Sequence, residues 1–116
     1  MATMIATTVA LGAKAYLFLA HEALLDFVEE KIDQSPVGFQ RPDVHEKYKH
    51  AIDMGKITAP SKLLKQSREL GSVSIYGCSE SAKLFRLSSS NAKNLDGIIG
   101  YTTFQTMISG ANWITI

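Results

Sequence analysis

Residues 70–87 read Leu70-Gly71-Ser72-Val73-Ser74-Ile75-Tyr76-Gly77-Cys78-Ser79-Glu80-Ser81-Ala82-Lys83-Leu84-Phe85-Arg86-Leu87. Two patterns meet inside this stretch. Val73, Ile75 and Tyr76 are β-branched or aromatic, which predicts a strand over Ser72–Tyr76. Ser79–Leu87 holds neither Gly nor Pro and predicts a helix. Gly77 lies between them, where a residue free of a Cβ permits a sharp turn. A strand running almost directly into a helix is the building unit of a parallel α/β domain.

The same alternation extends in both directions. Met1–Leu11 predicts a helix with small residues on one face, ended by Gly12 in the left-handed C′ position. Ala15–Leu19 (Ala-Tyr-Leu-Phe-Leu) is apolar on both faces, as a central parallel strand is when helices cover both sides. Glu22–Ile32 predicts a helix with Ala23, Leu24, Phe27 and Val28 inward and Glu29 and Glu30 outward. Ser61–Leu70 is a helix between Pro60 and Gly71. Gly97–Gly100 is a short strand, Thr102–Ser109 a helix closed by Gly110, and Asn112–Ile116 a last strand. The expected fold is a three-layer α/β/α domain with a mostly parallel sheet of four strands. Asp33–Ala59 breaks the rhythm, punctuated by Pro36, Gly38, Pro42 and Gly55. It reads as an insertion or lid with one short amphipathic helix, Val44–Met54, carrying Val44, Tyr48, Ala51 and Ile52.

A chain of 116 residues is the size of one domain and buries roughly 65% of its unfolded surface. Apolar residues make up 46% and charged residues 20%, a globular composition. Twelve basic side chains against eleven acidic leave a formal charge of +1, so neither nucleic acid nor a membrane surface is an expected partner. Met1–Ala20 is apolar, but Gly12 and Lys14 interrupt it short of the ~20 residues of a membrane span, and it has no basic start. Ala13-Lys14-Ala15 imitates a signal-peptide cleavage site, yet the apolar run continues through it; a buried helix and strand are the better reading. One cysteine excludes an internal disulfide and any multi-cysteine metal site, which points to a reducing cytoplasm.

Open parallel sheets bind ligands beyond the carboxyl ends of their strands. Two joints there carry chemistry: Leu19-Ala20-His21-Glu22, and Ile75-Tyr76-Gly77-Cys78-Ser79-Glu80-Ser81. Cys78 is the candidate nucleophile. It falls at the Ncap or first turn of the following helix, where unpaired N–H groups and the positive end of the dipole favour an anionic sulfur. The alternative is an inert cysteine packed as a small hydrophobe. Gly77, Ser79, Glu80 and Ser81 surround it, and His21 reaches the same edge as a candidate proton shuttle or as a plain surface histidine. His45 and His50 are five apart and miss the spacing that puts two ligands on one helix face, so both read as solvated and no metal site is expected. Gly97-Ile98-Ile99-Gly100 lacks the spacing of a dinucleotide fingerprint, and no Gly-x-Ser-x-Gly elbow is present. No cofactor is expected.

The segment Glu69–Phe85, with its strand, small residue, cysteine and amphipathic helix, resembles the DsrE/DsrF-like family of small sulfur-relay proteins, which includes the Tus-type subunits. Asp96-Gly97-Ile98-Ile99-Gly100-Tyr101-Thr102-Thr103-Phe104 is similar to the family's second signature, and Ala6–Phe18 to its first helix and second strand. The segment inserted before Ser61 makes the likeness closest to the peroxiredoxin-like subgroup. The resemblance spans the chain apart from Asp33–Ala59. It implies a trimer or hexamer, a persulfide or thiosulfonate on Cys78, and delivery to a partner thiol such as that of a TusA-like sulfur carrier. The family opens with a strand ahead of the first helix, which this sequence lacks. Either residues precede Met1 in the full gene product, the favoured reading, or the sheet is one strand short and Tyr16–Phe18 have an unpaired edge. A one-cysteine peroxidase would need a threonine and an arginine around the thiol; Arg86 stands eight positions on, with no partner threonine. The competing function is an oligomeric scaffold or regulatory subunit with an inert thiol.

Overall fold

The computed structural model describes residues 2–33, 41–88 and 90–112. In chain order the elements are α1 (Ala2–Ala10), β1 (Ala15–Leu19), α2 (His21–Val28), α3 (Pro42–Asp53), α4 (Pro60–Leu70), β2 (Val73–Cys78), α5 (Ser79–Leu84), β3 (Gly97–Ile99) and α6 (Tyr101–Met107). The described residues form an α/β domain around a three-stranded, wholly parallel sheet of order β1-β2-β3. The expected fourth strand, Asn112–Ile116, falls outside the description except for Asn112, which is not in a strand; Met1, Pro36, Gly38 and Ser89 also fall outside it.

The alternation of β2 sorts the layers. Val73, Ile75 and Gly77 are buried, while Ser74, Tyr76 and Cys78 are half-buried. Strand side chains alternate between faces, so the first three share a face with their register partners Ala15, Leu17 and Leu19. Against that face lie Ala2 and Ile5 of α1, Leu24 of α2 and Leu64 of α4, which together with Leu19, Val73 and Ile75 make the core. Leu24 and Ile75 are wholly buried, each contributing about 1.5–3 kcal/mol by loss of apolar surface to water. The opposite face carries Tyr16, Phe18 and Tyr76. It is covered by α6, whose Phe104 stacks on Phe18 at 4.8 Å between ring centroids and tilts against Tyr76 at 6.3 Å.

Among the described residues β2 lies between β1 and β3, and β1, apolar on both faces, pairs with β2. Apolarity reports what lies above and below a strand. α1 and α6 cover the two faces of β1, and neither says anything about its lateral neighbour. The long joint between β1 and β2 contains α3, which has no buried residue. His50 is exposed on it, but His45 is half-buried rather than solvated. The insertion is tied back by Asp33, whose carboxylate accepts from the Ser61 main-chain N–H (2.9 Å) and hydroxyl at the start of α4.

Two helices end earlier than their patterns predict. α2 stops at Val28 instead of Ile32, and α5 at Leu84 instead of Leu87. Each closes in a left-handed residue that is not glycine: Glu30 at φ 60° and Arg86 at φ 52°. At α5 the Leu87 N–H reaches the Ala82 carbonyl (3.0 Å) and the Arg86 N–H that of Lys83 (3.2 Å), and at α2 Lys31 and Glu30 do the same to Asp26 and Phe27. These are Schellman closures, usually signalled by glycine, as Gly12 signals the end of α1 at φ 82°.

Candidate functional site

β2 delivers its last residue, Cys78, directly to the Ncap of α5, in extended conformation at φ −69° and ψ 127°. The thiol is free and half-buried, and strand alternation puts it on the face shared by Tyr76 and α6. Cys78 makes no side-chain cap hydrogen bond at the start of α5, so among the described residues no side chain fills its first-turn N–H groups. The start of α6 adjoins: a Cβ built on Gly100 would stand 3.8 Å from the Ser79 hydroxyl. Gly100, the Ncap of α6, also lacks a side-chain cap hydrogen bond. Two uncapped helix starts therefore lie side by side beyond the carboxyl ends of β2 and β3, with the thiol at one of them.

The remaining candidates divide. Ser79 is half-buried in the first turn beside Cys78, and Glu80 is exposed. Ser81 is 2% exposed and has a different task. Its hydroxyl accepts from the His21 main-chain N–H at 2.8 Å, joining the starts of α2 and α5 across 60 residues of chain. His21 is exposed and sits at φ 54°, a left-handed conformation that costs a non-glycine residue of order 1 kcal/mol. The hydrogen bond that the His21 N–H donates to Ser81 holds that backbone. It is the main chain of His21, not the imidazole, that is bound there.

Gly77 is required for a reason other than a turn. It is a regular, buried strand residue paired with Leu19 and Ile98. A Cβ there would meet Leu24 Cδ1 at 2.9 Å and Leu95 Cδ1 at 3.1 Å. The missing side chain lets α2 settle against the central strand just before the thiol.

One group at the sheet carries no signal in the sequence. Asp96 accepts from the Ile75 N–H (2.7 Å) and from Arg68 (3.1 Å), while its own N–H donates to the Ile75 carbonyl (2.7 Å). Arg68 also donates to the Asn94 carbonyl at 2.7 Å. Asp96 so begins the pairing of β3 with β2 and sets the register that places Ile99 beside Cys78. Only the fold brings Arg68 within reach of it, so spacing along the chain could not have found it.

A concavity of about 650 Å³ flanks α4 and is lined by residues that include Phe27, Leu64, Lys65, Arg68 and Ile75. It does not include Cys78. Geometry at the strand ends, where side chain and helix starts converge, is the stronger indicator of chemistry. Among the described residues no three of His, Cys, Asp and Glu are grouped as metal ligands, and no helix is long and apolar enough to cross a membrane. A scan of protein-family models and a search of curated proteins found no match to this chain.

Proposed function

We propose that the protein is a sulfur-relay subunit, in which Cys78 receives sulfane sulfur from a small donor and passes it to the thiol of a partner. The observation that carries this reading is the half-buried thiol at the carboxyl end of β2, where Cys78 is the Ncap of α5 and makes no side-chain cap hydrogen bond. The order of motifs shared with DsrE/DsrF-like proteins supports it. In the first step the Cys78 thiolate attacks the outer sulfur of a persulfide, R–S–SH; the new S–S bond forms as the old one breaks, and R–S⁻ leaves with the electron pair. An acceptor thiolate then attacks the outer sulfur of the Cys78 persulfide and regenerates the Cys78 thiolate. No net oxidation occurs, and no second cysteine is needed within the chain. First-turn N–H groups of α5 hold the anionic outer sulfur; Ser79 adds a hydroxyl at the same turn, and Glu80 stands exposed at its rim. His21, at the neighbouring helix start, shuttles the proton. Gly77 and Ser81 position the joint, the first by admitting Leu24 and the second by holding the backbone of His21. The setting is a reducing cytoplasm, the acceptor a TusA-like carrier, and the working form a homo-oligomer.

Intact mass after incubation of the reduced protein with polysulfide or tetrathionate tests this. The expected product is a sulfur-bearing adduct that dithiothreitol removes and that Cys78→Ser abolishes. A wild-type mass that never changes overturns the relay and leaves the thiol a packing group.

A further inference from the structure

Among the described residues, three that are not glycine take a left-handed backbone: His21, Glu30 and Arg86. The last two close helices, where such a conformation satisfies the final carbonyls. His21, at φ 54°, opens one, and a helix start calls for no left-handed residue. The cause lies on both sides of it. Upstream, Ala20 is extended at φ −133° and ψ 158°, and the Ala20–His21 peptide plane is fixed by the hydrogen bond from the His21 N–H to the buried Ser81 hydroxyl. Downstream, α2 is fixed by Leu24, wholly buried against the place on β2 where Gly77 has no Cβ. His21 joins a peptide plane and a helix that are each anchored elsewhere, and the join requires the left-handed region. Glycine takes that region without steric cost. The chain places an imidazole there instead.

We infer that Ser81 is a positioning residue, which through the main chain of His21 holds the imidazole toward the Cys78 thiol, and that the strained backbone is retained for that purpose. In the sulfur relay, the reading on which this role rests, the imidazole takes the thiol proton as Cys78 attacks the outer sulfur of R–S–SH. It returns that proton to the departing R–S⁻, which leaves as R–SH, so the imidazole ends neutral and no oxidant or reductant is consumed. Local geometry brings the groups together. Cys78 precedes Ser81 by three residues at the start of α5. Residues so spaced on a helix lie ~5–6 Å apart at Cβ, and their side chains lean toward the amino end. The Ser81 hydroxyl therefore reaches back toward the thiol with the His21 N–H at 2.8 Å from it, which leaves the imidazole a single side chain's length to span. The other titratable side chains on the elements packed here are Glu22 and Asp26 of α2, Glu80 and Lys83 of α5, Tyr76 of β2 and Tyr101 of α6. Substitution at His21 separates its titration from theirs.

The rate of Cys78 alkylation by iodoacetamide, read by intact mass of the full chain from about pH 5 to about pH 9, tests this role. No sulfur donor is involved, so its failure is distinct from a failure of sulfur uptake. Two groups whose protons act on one sulfur give a two-step pH dependence, and a lone thiol gives one step. The wild type is expected to show two. His21→Gln and His21→Gly should show one, with the rate at about pH 6 lowered about fivefold. His21→Gly should also raise the melting temperature by about 2–4 °C, because the backbone strain leaves with the side chain. Stability gained as reactivity is lost marks a residue kept for function. Ser81→Ala retains the imidazole and should still lose the lower step, while Ser81→Thr retains the hydroxyl and should restore it. A Ser81 that only packs would change the melting temperature and leave both steps in place. Should Ser81→Ala fail to fold, the two His21 variants decide alone. A single step in the wild type, two steps in His21→Gln, a lower step that survives Ser81→Ala, or a His21→Gly protein that melts below the wild type overturns the proposal.

Discussion

The two faces of the sheet are built on different terms. On one, Val73, Ile75 and Gly77 alternate inward against three helices, and two side chains there, Leu24 and Ile75, have no exposure at all. On the other, the described residues covering Tyr16, Phe18 and Tyr76 belong to one seven-residue helix, of which Phe104 is buried. Stability is concentrated on the first face. The thiol emerges on the second, where less has to move for a small donor to approach. A half-covered face is a weaker contributor to folding and a better place for chemistry, because low local burial and access to solvent go together.

Truncations sharpen that contrast. Ile75→Ala removes a wholly buried side chain from the first face and should cost about 3–4 kcal/mol in urea-unfolding free energy. Phe104→Ala, across the sheet, should cost about 2 kcal/mol, below the ~3–5 of a fully enclosed phenylalanine, since its half-buried neighbours can collapse into the space. Equal losses for the two would break the comparison and make the second face as closed as the first. Gly77→Ala asks how tightly the first face is packed; a methyl 2.9 Å from Leu24 should cost about 1–2 kcal/mol by the same measurement. Ser81→Ala strands the His21 N–H and should cost about 1 kcal/mol. It should also speed amide hydrogen exchange at His21. Smallest in stability is Cys78→Ser, expected within about 0.5 kcal/mol because the side chain is only half-buried, although sulfur uptake should vanish.

Much of this molecule is legible in its sequence, and the places where reading stops have physical causes. The joint at Cys78 is readable because strand and helix patterns nearly abut there, with only Gly77 and Cys78 between them. The ends of α2 and α5 are not, because Glu30 and Arg86 adopt a left-handed backbone that sequence rules assign to glycine or asparagine. Gly77 was legible as necessary but for another reason than the one that holds: its spacing suggested a turn, whereas Leu24, more than fifty residues earlier, is what forbids a Cβ.

Local order along the chain determined the class of fold, the helices and strands themselves, and the position of the lone thiol at a strand-to-helix joint. These depend on periodicity and on neighbours within a few residues, which a linear sequence records directly. Tertiary structure alone decided that β2 pairs with both β1 and β3, that Ser81 holds His21, and that Asp96 sets the register of β3 through Arg68 and Ile75. Lateral pairing and side-chain contacts across 21 to 60 residues arise only when the layers stack, and no local pattern of polarity encodes which strand lies beside which.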